Sequence, residues 1–317
     1  MPEMTTSRTF NAGGARQIDD EAPSGGELDL RLRVLREGDE AMLDAFLAGR
    51  PDTPIALRDS LRQGGIEDDG RTYQATWVGA VLVDPDADTQ TVIATVTLLW
   101  NGTLLLHAPH ELDGLLNVLA GAAPREVAEV AGPLDQVEAS MTHLLLRDRP
   151  LKTRTYGQVM TLAVADLKKP DPMRESRPAM GEELAMLGDW LAALDEETIA
   201  ATRTPEGDIA ARQRMRRLHD LRQELVVTVD DQPVALGAVA HRFEDAIAID
   251  PVYVPADLRG KGHAGSLLAA LVQDAARDGV ARATIMVDKE NPAAVRICEK
   301  LGFVAALDWS VARYFAS

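Results

Sequence analysis

One segment in the last third of the chain constrains the fold more than any other. It reads DPVYVPADLRGKGHAG over residues 250–265, so an apolar strand leads into a glycine turn and the turn leads into a helix. Apolar residues then recur at helical i, i+3, i+4 and i+7 spacing, and Gly279 stands where a glycine commonly ends a helix. The pattern predicts a strand over 246–254 and a helix over 261–278. Such a unit belongs to an α/β fold with helices packed on a sheet.

The glycine turn also predicts an anion site. The first backbone N–H groups of a helix have no intrahelical partner and carry partial positive charge, so a diphosphate can bind there if no side chain blocks it. Gly260 and Gly262 leave that approach open. The small and cationic residues around the turn are Arg259, Lys261, His263, Ala264 and Gly265.

Two other classes of glycine loop fit this segment less well. The spacing Gly260-x-Gly262-x-x-Gly265 matches a dinucleotide-binding fingerprint, but that fingerprint belongs on the first strand of a parallel βαβ unit. Here it follows a predicted antiparallel hairpin late in the chain. A dinucleotide-dependent oxidoreductase therefore remains the less favoured alternative. A Walker A loop is excluded because no Gly-Lys-Ser/Thr tripeptide is present in the turn.

Pro251 interrupts the strand that precedes the turn. Proline has no N–H to donate, so inside a sheet it marks an edge, a bulge or a break in pairing. Where a strand parts from its neighbour, its backbone can instead pair with an extended ligand that carries amide groups. An ordinary bulge without a ligand is the alternative explanation.

Two motifs together resemble those of a known family. Arg259-x-x-Gly262-x-Ala264 resembles the R/Q-x-x-G-x-G/A signature of the GNAT superfamily of acyl-CoA-dependent N-acyltransferases, and NPAAVRICEKLGF over 291–303 resembles its downstream motif. The VYVP string at 252–255 is similar to a bacterial subgroup of predicted acetyltransferases. Members of that subgroup often carry a degenerate N-terminal copy of the fold.

The resemblance implies a ligand and its contacts. Acetyl-CoA, or another acyl-CoA, would be the co-substrate, bound between two splayed strands without a metal. The segment Val252-Tyr253-Val254 would hold the pantetheine arm and the thioester carbonyl, and Asn291 would lie beside that arm. Asn291 followed by Pro292 is also typical of a helix N-cap. The residues implied to hold the diphosphate are Gly260, Lys261, Gly262, His263 and Ala264.

Acyl transfer to an amine requires proton movements, and the sequence offers candidates for both. A base must take a proton from the amine, and an acid can protonate the departing thiolate. Asp250 is the favoured base because it directly precedes the segment implied to contact the coenzyme. Cys298 occupies the position where many relatives carry a tyrosine and is the candidate acid; burial in the core is the alternative for it. The other candidates for the base are His241, Glu244 and Asp245.

The periodic segments predict two α/β domains of similar element order. We predict tandem GNAT folds, each a mixed, mostly antiparallel sheet flanked by helices, after a flexible tail at 1–27. A degenerate N-terminal domain would cover 28–168 and the acyl-CoA-binding domain 169–317, because residues 168–177 have the composition of a linker. Residues 106–113 stand where the N-terminal half would carry its counterpart of the glycine turn, but their sequence contains no such turn. The chain is expected to end in two short strands over 304–315.

Composition narrows the partners. The formal charge of −17 makes nucleic acid an unfavourable partner and favours a cationic acceptor. One cysteine among 317 residues allows no intrachain disulfide, and no apolar run reaches the length of a membrane span, so a cytoplasmic protein is expected. The predicted function is transfer of an acetyl group from acetyl-CoA to a primary amine of a small molecule or protein. The alternative is a non-catalytic acyl-CoA-binding or regulatory protein, and a homodimer is left open.

Overall fold

The computed structural model describes residues 28–50, 55–123, 125–199 and 203–315. The tail predicted at 1–27 lies outside these residues. The described chain forms two compact units. The first contains most of the chain up to Arg154, together with the segment from Ser310 onward, and the second contains Thr155–Trp309.

The first unit is a five-stranded sheet with helices on both faces. The strands lie in the order β1-β2-β3-β4-β5, antiparallel except for the parallel pair β4 and β5. Alternate residues of the strands feed two cores: Val78 packs with the core of α3 and α4, whereas its neighbour Trp77 packs with α1 and α2. The elements are β1 (Asp29–Val34), α1 (Glu40–Ala48), α2 (Ile55–Gly64), β2 (Ala75–Asp84), β3 (Thr89–Leu99), β4 (Thr103–His107), α3 (Leu112–Ala122), β5 (Glu129–Pro133) and α4 (Leu134–His143).

The second unit repeats this plan. Its strands lie in the order β7-β8-β9-β10-β11, again antiparallel except for one parallel pair, β10 and β11. Helix α7 forms one core with the sheet, and α5 and α6 form the other. The remaining elements are β6 (Leu151–Ala163), β7 (Ser176–Arg177), α5 (Leu184–Ile199), α6 (Pro205–Asp220), β8 (Glu224–Val229), β9 (Gln232–Arg242), β10 (Ala246–Tyr253), α7 (His263–Arg277), β11 (Arg282–Asp288), α8 (Pro292–Leu301) and β12 (Val304–Tyr314).

The two halves of the chain share one element order. From β1 to β6 and from β7 to β12, each runs strand, two helices, three strands, helix, strand, helix and strand. This order, with a mixed and mostly antiparallel sheet in each half, confirms the predicted fold class. The division at 168 and 169 into separate domains stays a prediction.

Most of β6 and the last five residues of β12 belong to the unit formed mainly by the other half of the chain. Residues Gly157–Ala163 of β6 pair antiparallel with β11 in the second unit. The end of β12 lies beside β5 in the first unit, where the Tyr314 N–H donates to the Ala128 carbonyl at 2.9 Å. Met160 and Leu162 are accordingly part of the α7 core. Each sheet is therefore completed by sequence from the other half of the chain.

Two local expectations differ from the structure. The pair of short strands predicted over 304–315 is a single strand, β12. Asp308 interrupts its apolar residues, but it lies on the exposed stretch of the strand and pairs with Lys289 at 2.6 Å. The predicted linker contains a short strand, β7, whose pairing with Val226 and Val227 has no local sequence signal.

We expect Leu162→Ala to destabilise the second unit, although this residue precedes the predicted boundary. Leu162 is 2% exposed in the α7 core, and deletion of such a side chain costs about 2 to 5 kcal/mol. Urea unfolding measures the loss, and hydrogen exchange should show it as lower protection of β11. Thr161→Ala, at the partly exposed neighbouring position, is the control. Lower protection confined to β2 and β3 would contradict the assignment of β6.

Candidate active site

The parallel strands of the second unit separate at a defined point. Pairing of β10 with β11 runs from Ala246 opposite Arg282 to Ile249 opposite Ile285 and then stops. Beyond it, β11 remains paired with β6 and β10 remains paired with β9. A gap therefore opens between β10 and β11 over Asp250–Tyr253, with backbone on both sides.

An irregularity in β10 accompanies the gap. Ile249 lies opposite Val239, but Val252 lies opposite Gly237, so β10 uses one residue more than β9 over this interval. This is the interruption that Pro251 predicts. A Cβ on Gly237 would come within 2.9 Å of Leu267 on α7, so the close packing of this strand pair against the helix depends on glycine.

The glycine turn follows the end of β10 and begins α7. Gly260 and Gly262 have φ of +78° and +85°, which side chains other than glycine rarely adopt, and Gly262 is the N-cap of α7. A Cβ built on either glycine would meet no atom of the described residues within 4 Å. Open space thus lies beside the turn, and the N-terminal N–H groups of a fifteen-residue helix are next to it.

The side chain of Arg259, directly before the turn, is engaged by partners in the same unit. Its Nε donates to the Val254 carbonyl at 2.9 Å, and its Nη2 lies 2.8 and 2.7 Å from the two carboxylate oxygens of Glu197. The guanidinium also lies 5.8 Å from the centre of the Tyr253 ring. The arrangement links α5 to the end of β10 and fixes the segment that leads into the turn.

A second arginine reaches the turn from the predicted linker. Arg174 Nη2 donates to the Lys261 carbonyl at 3.0 Å, and the Arg174 backbone N–H donates to Ser266 Oγ at 3.3 Å. Pro170 of the same segment lies beside Gly265. Sequence reasoning missed Arg174 because it lies 87 positions from Lys261.

His263, the first residue of α7, is almost completely buried. Its side chain is 4% exposed, and Nδ1 has no hydrogen-bond partner among the described residues. Burial lowers its pKa, and the nearby charges of Arg174 and Lys261 lower it further. The imidazole is therefore held neutral at neutral pH.

Asn291 and Cys298, the two candidate site residues of the downstream motif, lie in different surroundings. Asn291 caps α8, with its side-chain oxygen accepting the Ala294 N–H at 3.1 Å, as the Asn-Pro pair predicts. Cys298 is 1% exposed within the α7 core. Burial raises the pKa of its thiol to about 12, with a further contribution from Glu299. The sulfur is therefore a neutral thiol packed among apolar side chains.

Asp250 is exposed and shares an arginine with a second carboxylate. Arg214 of α6 donates to Asp250 at 2.8 Å and lies 3.6 Å from Asp195 of α5. Partial burial raises the pKa of Asp195; Arg214 opposes this and Asp250 adds to it. The carboxylates thus stand at the start of the gap, and neither α5 nor α6 carried a sequence signal for this contact.

The other candidate bases lie away from the gap. Glu244 and Asp245 precede β10, where the Asp245 carbonyl accepts from the N–H groups of Ala281 and Arg282 at the start of β11. His241 pairs with Ala248, before the point where the strands separate. In the first unit, α3 begins five positions after the last residue of β4, with no glycine in the connection. The described residues there contain no counterpart of the turn.

Comparison with known proteins agrees with this geometry. Residues 187–303, which include the gap, the glycine turn and α8, match the model of the acetyltransferase (GNAT) family. This part of the chain is a GNAT domain. No curated protein matches the sequence significantly.

Solved structures share the GNAT fold over most of the chain. An acetyltransferase of the GNAT family from Colwellia psychrerythraea is 15% identical, with 90% of this chain and 100% of that chain covered and a TM-score of 0.52. A Drosophila protein is 16% identical, with 89% and 98% covered and a TM-score of 0.62. An N-acetyltransferase from Sphaerobacter thermophilus is 17% identical, with 90% and 95% covered and a TM-score of 0.50. At these identities the likeness concerns the fold alone.

None of the helices in the described part of the chain has the length and apolar character that a membrane crossing demands.

We expect Cys298 to be inert to thiol reagents in the folded GNAT domain. A thiol reacts through its thiolate, and both the raised pKa and the burial of Cys298 suppress that form. Reaction with an aromatic disulfide at pH 8 should be at least about 100-fold slower in native protein than in urea. Because the chain has one cysteine, the rate reports this site alone. Rapid native labelling would contradict the burial and restore Cys298 as an accessible acid.

Proposed function

We propose that the second unit binds acetyl-CoA and transfers its acetyl group to a primary amine. The observation that carries the proposal is the open glycine turn at the N-terminus of α7, directly after a strand that has parted from β11. Both features lie inside the segment that matches the GNAT family. The gap offers backbone groups to an extended arm, and the turn offers N–H groups to a diphosphate.

The residues present fit such a coenzyme. The turn has space where a Cβ would otherwise stand at Gly260 and Gly262. Next to it, Lys261 and the N-terminus of α7 supply positive charge. Val252 and Val254 flank Tyr253 at the end of β10, where pairing with β11 has stopped. We assign the pantetheine arm to this part of β10, with Asn291 close to it, and the diphosphate to the turn from Gly260 to Gly265.

The proposed reaction is direct attack. The amine nitrogen forms a bond to the thioester carbon, the carbon–sulfur bond breaks, and CoA leaves as a thiolate. A cationic acceptor first loses one proton to Asp250, whose carboxylate is exposed at the start of the gap, and Asp250 passes it to solvent. After the attack the same nitrogen loses its second proton to water. The thiolate can take a proton from water, so the scheme does not require an acid at Cys298.

The acceptor is proposed only as a class. Carboxylates are concentrated beside β10, where Asp195 and Glu197 of α5 accompany Asp250. Together with the net charge of −17, they favour an acceptor that is a cation before it reacts. Small amines and protein amines both meet this description.

A second candidate is a non-catalytic acyl-CoA-binding or regulatory protein. The observation that favours it is Cys298, a buried thiol at the position where many relatives carry a tyrosine. Release of CoA that depends on an added amine would exclude it. Tight acetyl-CoA binding without turnover on a broad set of primary amines would support it.

We expect Gly262→Glu to abolish acetyl-CoA binding. A side chain at φ +85° strains the turn, and the carboxylate opposes a diphosphate, so Kd should rise at least about 100-fold in isothermal titration. Gly279→Glu is the matched control, since Gly279 has the same φ and the same open space at the other end of α7. Equal acetyl-CoA binding by both variants and the wild type would show that the glycine turn is not part of the coenzyme site. If the wild type does not bind acetyl-CoA, the proposed function is wrong.

We expect Asp250→Asn to reduce acetyl transfer and to spare coenzyme binding. Loss of a general base lowers kcat by about 10² to 10⁴-fold, while the acetyl-CoA Kd should change less than about twofold. CoA release is followed with a polyamine, an amino sugar and a lysine peptide as acceptors. Glu244→Gln and His241→Gln are the controls, because both residues lie away from the gap. A loss confined to either control would move the base to that residue.

A further inference from the structure

We propose that Arg174, outside the sequence motif, is a coenzyme-binding residue that contacts a phosphate group of CoA. The inference deepens the proposed function and rests on it. It concerns the segment before β7, which composition marks as a linker.

Arg174 lies against the glycine turn and the start of α7. Arg174 is tied to both sides of the glycine turn, through its Nη2 to the Lys261 carbonyl at 3.0 Å and through its backbone N–H to Ser266 Oγ at 3.3 Å. Ser266 is itself fully buried in the first turn of α7. Pro170 lies beside Gly265, so a second residue of the segment also borders the helix start.

The cationic side chains around the turn differ in their partners. Arg259, the arginine of the motif, is engaged by both carboxylate oxygens of Glu197. Arg174 and Lys261 instead donate to backbone carbonyls, and within the described ranges neither forms an ion pair. In a chain of net charge −17, two cations without a carboxylate partner among the described residues are therefore found close to one helix N-terminus.

His263, the first residue of α7, is near Arg174 and Lys261. His263 is 4% exposed, and its Nδ1 has no partner among the described residues. Its pKa is lowered by burial and then by Arg174 and Lys261, so both cations are close enough to act on the first residue of α7. An anion at this point would give both cations a charged partner. A guanidinium can donate two parallel hydrogen bonds to a phosphate, which neither Lys261 nor His263 can do.

The test is acetyl-CoA titration of full-length Arg174→Gln. Loss of a charged hydrogen bond to phosphate should raise Kd about 10-fold or more and reduce the dependence of Kd on salt. Arg174→Lys keeps the charge and should recover part of the affinity. Arg277→Gln is the matched control, because it removes an exposed cation at the opposite end of α7. Wild-type affinity in Arg174→Gln, while Gly262→Glu no longer binds, would overturn this inference and leave the proposed function intact.

Truncated coenzymes identify the phosphate. If the Arg174→Gln defect disappears with acetyl-3′-dephospho-CoA, the contact is to the 3′-phosphate; if it persists, the contact is to the diphosphate. A defect of equal size with S-acetyl-pantetheine, which has no phosphate, would show a structural role and overturn the inference. The His263 pKa, followed by NMR, should rise in Arg174→Gln even without ligand, and an unchanged value would also count against the inference.

Discussion

The separation of β10 from β11 is the constraint on which the site depends. Parallel pairing ends at Ile249 and Ile285, and each strand then keeps only its outer neighbour. Pro251, which has no N–H, lies where β10 gains its extra residue relative to β9. The backbone that would otherwise be consumed in a ladder is left available, and the chain continues from it into the glycine turn and α7.

Electrostatics around this gap are arranged in two opposite sets. Toward α5 and α6, Asp195 and Asp250 share Arg214, and Glu197 neutralises Arg259. Among the described residues, the side chains of Arg174 and Lys261 at the start of α7 donate only to backbone carbonyls. The domain therefore carries both a carboxylate cluster and carbonyl-bound cations near one gap. This polarity suits a reaction between a phosphorylated donor and an amine, and it arises in a chain whose net charge is strongly negative.

Local sequence patterns predicted those features that are encoded locally. The glycine turn, the Asn291 cap and the α7 stripe each depend on a few neighbouring residues, and the structure has all three at the predicted positions. Arg174, Arg214 and Glu197 were missed because their partners are 87, 36 and 62 positions away. The short strand β7 and the single long β12 were missed for the same reason, since strand pairing is decided by neighbours distant in sequence. For Cys298, sequence left acid and core residue open, and burial favours the core.

The placement of β6 bears on how such a chain can change over generations. The first unit has no glycine turn among its described residues, yet the strand that ends the first half of the sequence forms the flank of β11 and supplies Met160 and Leu162 to the α7 core. A deletion that removed the first half would also remove that flank and expose an unpaired strand edge. Selection acting only on the second unit would therefore preserve this strand of the first half, although the described residues of that half contain no glycine turn.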